Sequence, residues 1–218
     1  MGYAAEYKPG KHYVGDVYAN WAKAEEYPPV LDHLACGLAE RVSSAMDVEG
    51  IDVVCGAPMG GLSIGLSLAR ELGCRYVYAE KKVTRAASCG EREEAKLVLG
   101  RHEVKAGDDV VIVEDVLNNF STTAELCTLI REAGGRILGI VGLLNRSLTV
   151  YGDYVLPDGI ELPVIALVQK PIPEWWQDDA AVVADIEAGN VVWKPKAEWP
   201  RLMAAMQAAS RAGTHTHY

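Results

Sequence analysis

Short runs rich in apolar and β-branched residues alternate along the chain with segments of helical periodicity. The runs predict five strands, at residues 51–55, 75–79, 110–113, 137–144 and 164–168. A helix opened by Pro28-Pro29 precedes them, and a second helix is closed by Gly73. A third, over residues 122–133, begins with a capping box in which Thr122 is the N-cap and Glu125 follows three positions later. This alternation predicts an α/β fold with a mainly parallel sheet and helices on both faces.

The same pattern divides the chain into a regular centre and less regular ends. The sheet region is predicted at residues 50–170, between an N-terminal segment with the first helix (1–49) and a C-terminal helical segment with a loose tail (171–218). Residues 80–108 look irregular, and residues 80–105 contain seven Lys or Arg and five Glu. A locally basic segment in an acidic protein suits a mobile lid over an anionic substrate.

Composition narrows the class of protein. The 218 residues are 50% hydrophobic and carry a formal net charge of −9, which fits a globular chain and disfavours nucleic acid or an anionic membrane as a partner. The five cysteines show no zinc-binding spacing, so we expect reduced thiols in a cytoplasmic protein without a metal site of its own. The sequence contains neither an apolar stretch long enough to span a membrane nor a recognisable signal peptide.

The most informative polar residues follow the third predicted strand, where Glu114 and Asp115 come directly after the apolar run 110–113. Ligands of open parallel sheets bind beyond the carboxyl ends of the strands, and two neighbouring carboxylates there suit sugar hydroxyls or a divalent cation. A polar loop and a helix start come next, and their amides and hydroxyls suit a phosphate. The residues of this candidate phosphate loop are Asn118, Asn119, Phe120, Ser121, Thr122 and Thr123.

Two other predicted strands end in unusual residues. The turn at residues 56–61 reads Gly-Ala-Pro-Met-Gly-Gly, and its glycines would allow the backbone to approach an anion closely. The turn lacks the Gly-Lys-Ser/Thr of a Walker loop and the G-x-G-x-x-G order of a dinucleotide turn. Arg146 follows the strand 137–144, and its guanidinium suits a carboxylate.

Together these segments resemble the type I phosphoribosyltransferases, and most closely the orotate phosphoribosyltransferases. Residues 110–123 look like the family's phosphoribosyl-pyrophosphate motif, and residues 56–61 are similar to its pyrophosphate loop. Residues 78–82, with 97–107, look like its lid hairpin, and Asn145-Arg146-Ser147 matches its Asp-Arg-Ser with Asn in place of Asp. The resemblance implies a five-stranded, mainly parallel sheet, a small hood formed by the chain ends, and a homodimer.

The resemblance also implies a reaction, the transfer of phosphoribose from phosphoribosyl pyrophosphate to orotate, which gives orotidine monophosphate and pyrophosphate. Glu114 and Asp115 would hold the ribose hydroxyls and favour the cation that develops at the sugar. Ser121, Thr122 and Thr123, with the amides of the loop 118–123, would bind the 5-phosphate.

Other residues are implied for the leaving group and the base. The turn residues Ala57, Pro58, Met59 and Gly60 would take the pyrophosphate together with Lys81. Lys82 or Arg85 of the lid would neutralise the leaving group, in the same or a neighbouring subunit, and Arg146 would pair with the orotate carboxylate. Magnesium is implied as the cofactor, held mainly through the substrate's own pyrophosphate oxygens.

Two departures from the family pattern leave alternatives open. The family loop Thr-Thr-Gly-Gly-Ser is Asn-Asn-Phe-Ser-Thr here, so Asn119, which tolerates a left-handed backbone, is expected to substitute in part for the missing glycines. The lid lacks the family's Asp-His-Gly and has Arg85, Ser88, Cys89 and Gly90 in that region. The phosphate site is therefore either rebuilt or weakened. A non-catalytic regulator that senses a nucleotide or phosphoribosyl pyrophosphate, or a phosphoribosyltransferase for another base, are the alternatives. The lid cations favour an enzyme.

Overall fold

A computed structural model describes residues 2–8, 10–85 and 94–211. Its strands are β1 (Gly2–Lys8), β2 (Lys11–Gly15), β3 (Val53–Gly56), β4 (Arg75–Tyr78), β5 (Glu80–Arg85), β6 (Glu94–Val98), β7 (Asp109–Leu117), β8 (Arg136–Asn145), β9 (Asp153–Val155), β10 (Glu161–Gln169), β11 (Trp175–Trp176) and β12 (Val191–Val192). The helices are α1 (Ala22–Glu25), α2 (Pro28–Ala45), α3 (Gly61–Leu72), α4 (Ser121–Glu132), α5 (Ala180–Glu187) and α6 (Trp199–Arg211), with a 3₁₀ turn at Val48–Gly50.

The chain divides into two compact units. The larger contains residues 20–171, and the smaller combines both chain ends, residues 1–19 and 172–218. Residues 20–49 belong to the larger unit, whereas the sequence pattern groups them with the N-terminal segment. None of the described helices is long and apolar enough to cross a membrane.

One sheet organises the larger unit, with its strands in the order β4-β3-β7-β8-β10-β9. The first five of these are parallel to their neighbours and correspond to the five predicted strands, so the predicted α/β fold is confirmed. The sixth strand, β9, runs antiparallel to β10 with Tyr154 opposite Leu162. Its three residues are too few to give a hydrophobic pattern, and the sequence analysis does not predict it.

Helices cover both faces of this sheet, as predicted. Successive residues of β7 point to opposite faces, so Val110 and Ile112 pack with Leu126 and Ile130 of α4, while Val111 packs in a second cluster. That second cluster contains the buried faces of α2 and α3, from Ala35, Leu38, Val42, Ile64 and Leu68. The sheet therefore has a complete core on each side, which fixes β7 at its centre.

The helix ends follow the sequence signals in two cases and depart from them in one. The two prolines occupy the first turn of α2, and Gly73 ends α3 in the left-handed conformation with φ 68°. The predicted capping box of α4 is wrong, because the helix begins at Ser121 and its N-cap is Phe120, without a side-chain cap.

The interpretation of residues 80–108 as irregular is wrong for residues 80–85 and 94–98, which form strands. β5 and β6 form an antiparallel pair with Lys81 opposite Leu97 and Lys82 opposite Lys96. The β5 side chains from Lys81 onwards are exposed, so the strand lacks the apolar alternation that marks a half-buried one. The resemblance to a lid hairpin is closer to the structure than the residue pattern is. Ser88, Cys89 and Gly90 lie outside the described residues, as do residues 212–218 of the predicted tail.

The smaller unit contains a four-stranded sheet in the order β11-β2-β1-β12. The strands β1 and β2 are antiparallel, and the short β12 pairs in parallel with β1, Gly2 opposite Val191. Ala4, Val14, Val182 and Val191 form its core, and the Tyr3 hydroxyl donates a hydrogen bond of 2.6 Å to Oε1 of Glu174. The two ends of the chain are thus joined through β1 and β12.

Candidate active site

The two neighbouring acids lie inside a strand rather than after it. β7 continues through Glu114 and Asp115 to Leu117, and it stays paired with β8 as far as Asn145. On its other side β3 ends at Gly56, opposite Val113. Glu114 and Asp115 therefore lie where β7 has lost one neighbour, and the turn that follows β3 occupies that side.

The two carboxyl groups, of Glu114 and Asp115, differ in their surroundings. Burial, with the negative charge of Asp115 as the second cause, raises the pKa of Glu114 to about 7, and the nearby Lys81 ammonium opposes this shift. Asp115 accepts a hydrogen bond of 2.8 Å from the Val116 amide at Oδ1. The site thus holds one carboxyl group that titrates near neutrality beside a second that is fixed by its own backbone, with a lid cation close by.

The turn after β3 packs tightly against this strand. A Cβ atom at Gly60 would overlap the Asp115 carboxylate, and one at Gly61 would overlap the backbone oxygen of Val113. The same oxygen accepts a hydrogen bond of 2.9 Å from the Ala57 amide. Gly61 is therefore required by the approach of the turn to the β7 backbone, and Gly60 by the position of the Asp115 carboxylate, whether or not an anion also binds.

This packing limits which turn residues are available to an anion. The Ala57 amide is engaged with Val113 and Pro58 has no N–H, so the amides of Met59 and Gly60 are the remaining candidates of the predicted set. Met59 is 77% exposed, and the peptide bond between Pro58 and Met59 is cis. Of the residues predicted to bind pyrophosphate through their amides, Met59 and Gly60 are therefore the two that remain.

The candidate phosphate loop leads directly from β7 into α4. Phe120 has φ 59° and ψ 17°, and it is the one non-glycine residue with positive φ in the described parts of the chain. Asn119, which was expected to supply this conformation, instead accepts hydrogen bonds at Oδ1 from the amide and the hydroxyl of Ser121, at 3.0 and 2.9 Å. The left-handed turn that glycine would permit is therefore present, but Phe120 makes it.

The ring of Phe120 does not occupy the loop. The residue is 4% exposed, and its ring stacks on Tyr154 with centroids 5.1 Å apart and planes at 10°. It belongs to the core cluster that contains Leu126 of α4 and Ile140 of β8. The solvent side of the loop is thus left to the backbone and the polar side chains.

The hydroxyl groups at the start of α4 differ in exposure. Ser121 is exposed and Thr122 half-buried, as is Asn118. Thr123 is fully buried, and its Oγ1 has no hydrogen-bond partner among the described residues. Because a phosphate arriving from solvent does not reach this hydroxyl, the predicted contribution of Thr123 reduces to its backbone amide, one of those that a helix start leaves unpaired.

The three predicted lid cations differ in their position relative to the two acids. The influence of Lys81 on the pKa of Glu114 places its ammonium on the side of the acids. Lys82 is the next residue of β5, so its side chain leaves the opposite face of the hairpin, where Lys96 stands across from it. Arg85 is exposed at the end of β5, opposite Glu94 in register. Of the three predicted lid cations, Lys81 is the one whose charge lowers the pKa of Glu114 against the effect of burial.

Arg146 is held at the end of β8, next to the end of β7. Its amide donates a hydrogen bond of 2.9 Å to the Leu117 oxygen, and its side chain is buried, with the residue 6% exposed. The preceding Asn145 is fully buried, donates from Nδ2 to the Val150 oxygen at 2.9 Å and accepts from the Ser147 amide at 3.0 Å. An ionised Asp could not make the first of these bonds, which explains the Asn at this position.

Comparison with known proteins establishes the family. The profile of the phosphoribosyl transferase domain matches residues 22–154, more than half of the chain. The chain therefore belongs to the phosphoribosyltransferase family. This agrees with the type I fold of the chain. In it Glu114 and Asp115 lie on β7, with Gly60 of the turn after β3 against Asp115 and the start of α4 a few residues further along the chain.

Curated relatives carry a more specific name. The chain is 30% identical to the orotate phosphoribosyltransferase of Helicobacter acinonychis over 159 residues, which cover 69% of this chain and 72% of that protein. It is 29% identical to the orotate phosphoribosyltransferase of Caldicellulosiruptor bescii over 139 residues, or 63% of this chain. That second match spans 64% of the relative's length, less than two thirds, as it does for several other relatives.

Solved structures agree on the fold. The orotate phosphoribosyltransferase of Aeropyrum pernix superposes with a TM-score of 0.53 at 16% identity, covering 76% of this chain and 85% of that one. The adenine phosphoribosyltransferase of Trypanosoma brucei, solved with AMP, pyrophosphate and ribose-5-phosphate, gives a TM-score of 0.53 at 17% identity, covering 77% and 75%. At such identities the likeness concerns the fold alone.

Proposed function

We propose that this protein transfers phosphoribose from phosphoribosyl pyrophosphate to orotate, with release of pyrophosphate. The observation that carries the proposal is the placement of Glu114 and Asp115 on β7, immediately before the loop that starts α4. The ribose 5-phosphate part of phosphoribosyl pyrophosphate has the matching order of groups, with the 2- and 3-hydroxyls at one end and a phosphate at the other. The relatives named orotate phosphoribosyltransferase support the same conclusion.

In the proposed reaction the bond from C1 of the ribose to the pyrophosphate oxygen breaks, and a bond from C1 to a ring nitrogen of orotate forms as that nitrogen loses its proton to solvent. The electron pair of the broken bond leaves with pyrophosphate, so positive charge develops at the sugar. Asp115 accepts hydrogen bonds from the ribose hydroxyls and favours that charge. Glu114, whose pKa is about 7, serves as a hydroxyl partner in either protonation state.

The phosphate end of the substrate meets the start of α4. The amides of Thr122 and Thr123 in the first turn would bind an anion there, with the positive end of the helix dipole behind them. The exposed Ser121 hydroxyl would join them by exchanging its hydrogen bond to Asn119 for one to the phosphate. The leaving pyrophosphate would be bound by the Met59 and Gly60 amides and Lys81. Lys82 and Arg85 stay candidates for neutralising its charge from the same or another subunit.

Arg146 supports orotate as the base that accepts the phosphoribose. A guanidinium pairs in a bidentate way with a carboxylate, and orotate is a base that carries one. The buried Asn145 fixes the loop from which this side chain starts. Adenine offers no carboxylate, so Arg146 favours orotate over a purine.

Magnesium fits this site as an ion shared with the substrate. Among the described residues no group of three or more His, Cys, Asp and Glu could hold a metal. Glu114 and Asp115 are the oxygen donors that the chain would contribute, and the pyrophosphate oxygens would supply further ligands. The ion would neutralise charge on the leaving group. The homodimer and the cytoplasmic location stay predictions.

An orotate assay tests the proposal. The protein is mixed with phosphoribosyl pyrophosphate, magnesium and orotate, and the loss of orotate absorbance is followed, with adenine and uracil as competing bases. We expect turnover with orotate, and a loss of about 100-fold in Asp115→Asn without a change in melting temperature. Binding of phosphoribosyl pyrophosphate without turnover of any base would instead support the sensing regulator, and turnover of another base would reassign Arg146.

A further inference from the structure

In the loop before α4, a bulky residue, Phe120, stands in a backbone conformation that glycine usually adopts. Phe120 adopts the left-handed conformation, which is unfavourable for a residue with a Cβ atom and especially for a bulky one. Its φ and ψ set the direction in which the chain enters α4, and its backbone oxygen accepts the hydrogen bond of 2.8 Å from the Ala124 amide. Something outside the loop must therefore hold Phe120 in this conformation.

The aromatic contact with Tyr154 is the evident restraint. The two rings are nearly parallel, at 10°, and the Phe120 ring is almost entirely enclosed. Tyr154 is half-buried on β9, where it is paired in register with Leu162 of β10. The loop is thus tied to the sixth strand of the sheet, which is distant from it in sequence.

A second tie joins the same region to the far end of the helix. The Arg131 guanidinium in the last turn of α4 bonds the carboxylate of Asp158, which lies in the turn between β9 and β10. This ion pair is exposed and lies away from the loop. The chain therefore offers a matched pair of contacts between one helix and one hairpin, of which only the Tyr154 contact reaches the phosphate end.

We propose that Tyr154 is a positioning residue for the phosphate-binding loop, acting through the ring of Phe120. This inference rests on the proposed function, because it names what keeps the 5-phosphate amides in place once the family's glycines are absent. In this role Tyr154 acts through its contact with the Phe120 ring. Glycine adopts the left-handed conformation without strain, and here the packing of the Tyr154 ring against Phe120 stabilises the same conformation instead.

Tyr154→Ala and Tyr154→Phe test the proposal, with Asp158→Asn as the control for the second tie. Binding of ribose 5-phosphate is measured by calorimetry. We expect Tyr154→Ala to weaken it about threefold to tenfold, as loss of an aromatic pair implies, while Tyr154→Phe and Asp158→Asn bind as the wild type does. The KM for orotate should stay unchanged in all three. Should Tyr154→Ala fail to fold, Tyr154→Leu keeps apolar volume without the planar stack.

A measurement without ligand separates this inference from the proposed function. Amide hydrogen exchange at Asn119 to Thr122 should accelerate in Tyr154→Ala and stay at the wild-type rate in Tyr154→Phe and Asp158→Asn. Absence of ribose 5-phosphate binding in the wild type would overturn the proposed function, whereas the exchange experiment would still report on the tie. Equal exchange and equal affinity in folded Tyr154→Ala and wild type would overturn the role of Tyr154.

Discussion

The turn after β3 and the loop after β7 are both candidate phosphate sites at neighbouring strand ends, but they are built in different ways. In the turn, a Cβ atom at Gly61 would overlap the backbone of β7, and one at Gly60 would displace the Asp115 carboxylate. In the loop, the left-handed residue is Phe120, and a stacked ring in the core compensates for the missing glycine. Glycine thus serves protein packing at one site, and at the other a large side chain replaces it.

The comparison shows that a glycine-rich motif and a phosphate loop need not coincide. The sequence around Gly60 suggests anion binding, yet the structure explains both glycines without an anion. The sequence around Phe120 suggests a rebuilt or weakened phosphate site, and the structure has the Phe120 ring directed into the core, away from the loop. The two sites differ in what packs against the backbone of each. Four sets of variants test this difference.

Removing the Phe120 ring should have the largest effect on stability. Phe120→Ala leaves a cavity against Tyr154 while it keeps a Cβ atom at positive φ, so we expect the free energy of unfolding to fall by about 3–5 kcal/mol. Urea denaturation measures the change. A loss below about 1 kcal/mol would mean that the ring does not hold the loop.

Alanine at each glycine of the turn should separate packing from catalysis. At Gly61 the new Cβ meets the Val113 backbone, so we expect a loss of about 1–3 kcal/mol in the free energy of unfolding. At Gly60 it meets the Asp115 side chain, which is able to move, so stability should fall less. Displacing that carboxylate should instead slow transfer about 100-fold, because small misplacements of a reacting group are costly.

The outcome that contradicts this account of the turn is equally specific. Thermal melts and orotate turnover are recorded for both variants under the same conditions. Unchanged turnover in a folded Gly60→Ala would show that the Asp115 carboxylate is not needed where it lies.

The carboxyl group of Glu114, between the two sites, should make stability depend on pH. Its pKa is raised from the model-compound value of 4.5 to about 7, so between these values the folded state binds more protons than the unfolded state. The free energy of unfolding should therefore fall as the pH rises from about 4.5 to about 7, by about 1–3 kcal/mol.

Glu114→Gln is the control for this effect, because it cannot titrate. Urea denaturation of both proteins between pH 5 and pH 8 gives the difference, since other groups titrate alike in the two. We expect the variant to gain stability relative to the wild type as the pH rises. Parallel pH profiles would show that Glu114 is not buried beside Asp115 in the way described.

The smallest expected effect isolates the backbone strain itself. Phe120→Gly and Phe120→Ala both lack the ring, but only Gly adopts positive φ without penalty. We therefore expect Phe120→Gly to be the more stable of the two by about 1 kcal/mol. Equal stability in urea would mean that the loop relaxes out of the left-handed conformation once the ring is gone.

The sequence predicted some elements of the structure and missed others, for physical reasons. Strong apolar runs and end signals predicted the parallel strands and the C-cap at Gly73, because these depend on local chemistry and burial. The hairpin of β5 and β6 was missed because its exposed, charged strand has no apolar alternation. The capping box at Thr122 failed because the N-cap is Phe120, two residues earlier, and Phe120 is held there by a contact with Tyr154 that no local pattern contains.

The candidate site was predicted in outline for a similar reason. Adjacent acids before a polar loop are visible in the sequence, and the structure has Glu114 and Asp115 beside that loop. The engagement of the Ala57 amide and the burial of the Thr123 hydroxyl depend on tertiary neighbours, and they become apparent only once β7 and its surroundings are assembled.

A crystal structure with ribose 5-phosphate tests the central claim most directly. The account predicts that the ring hydroxyls contact the carboxylates of Glu114 and Asp115 and that the phosphate lies on the amides at the start of α4, with the Phe120 ring still stacked on Tyr154. A sugar bound elsewhere, or a phosphate displaced from Ser121 and Thr122 by the Phe120 ring, would contradict it.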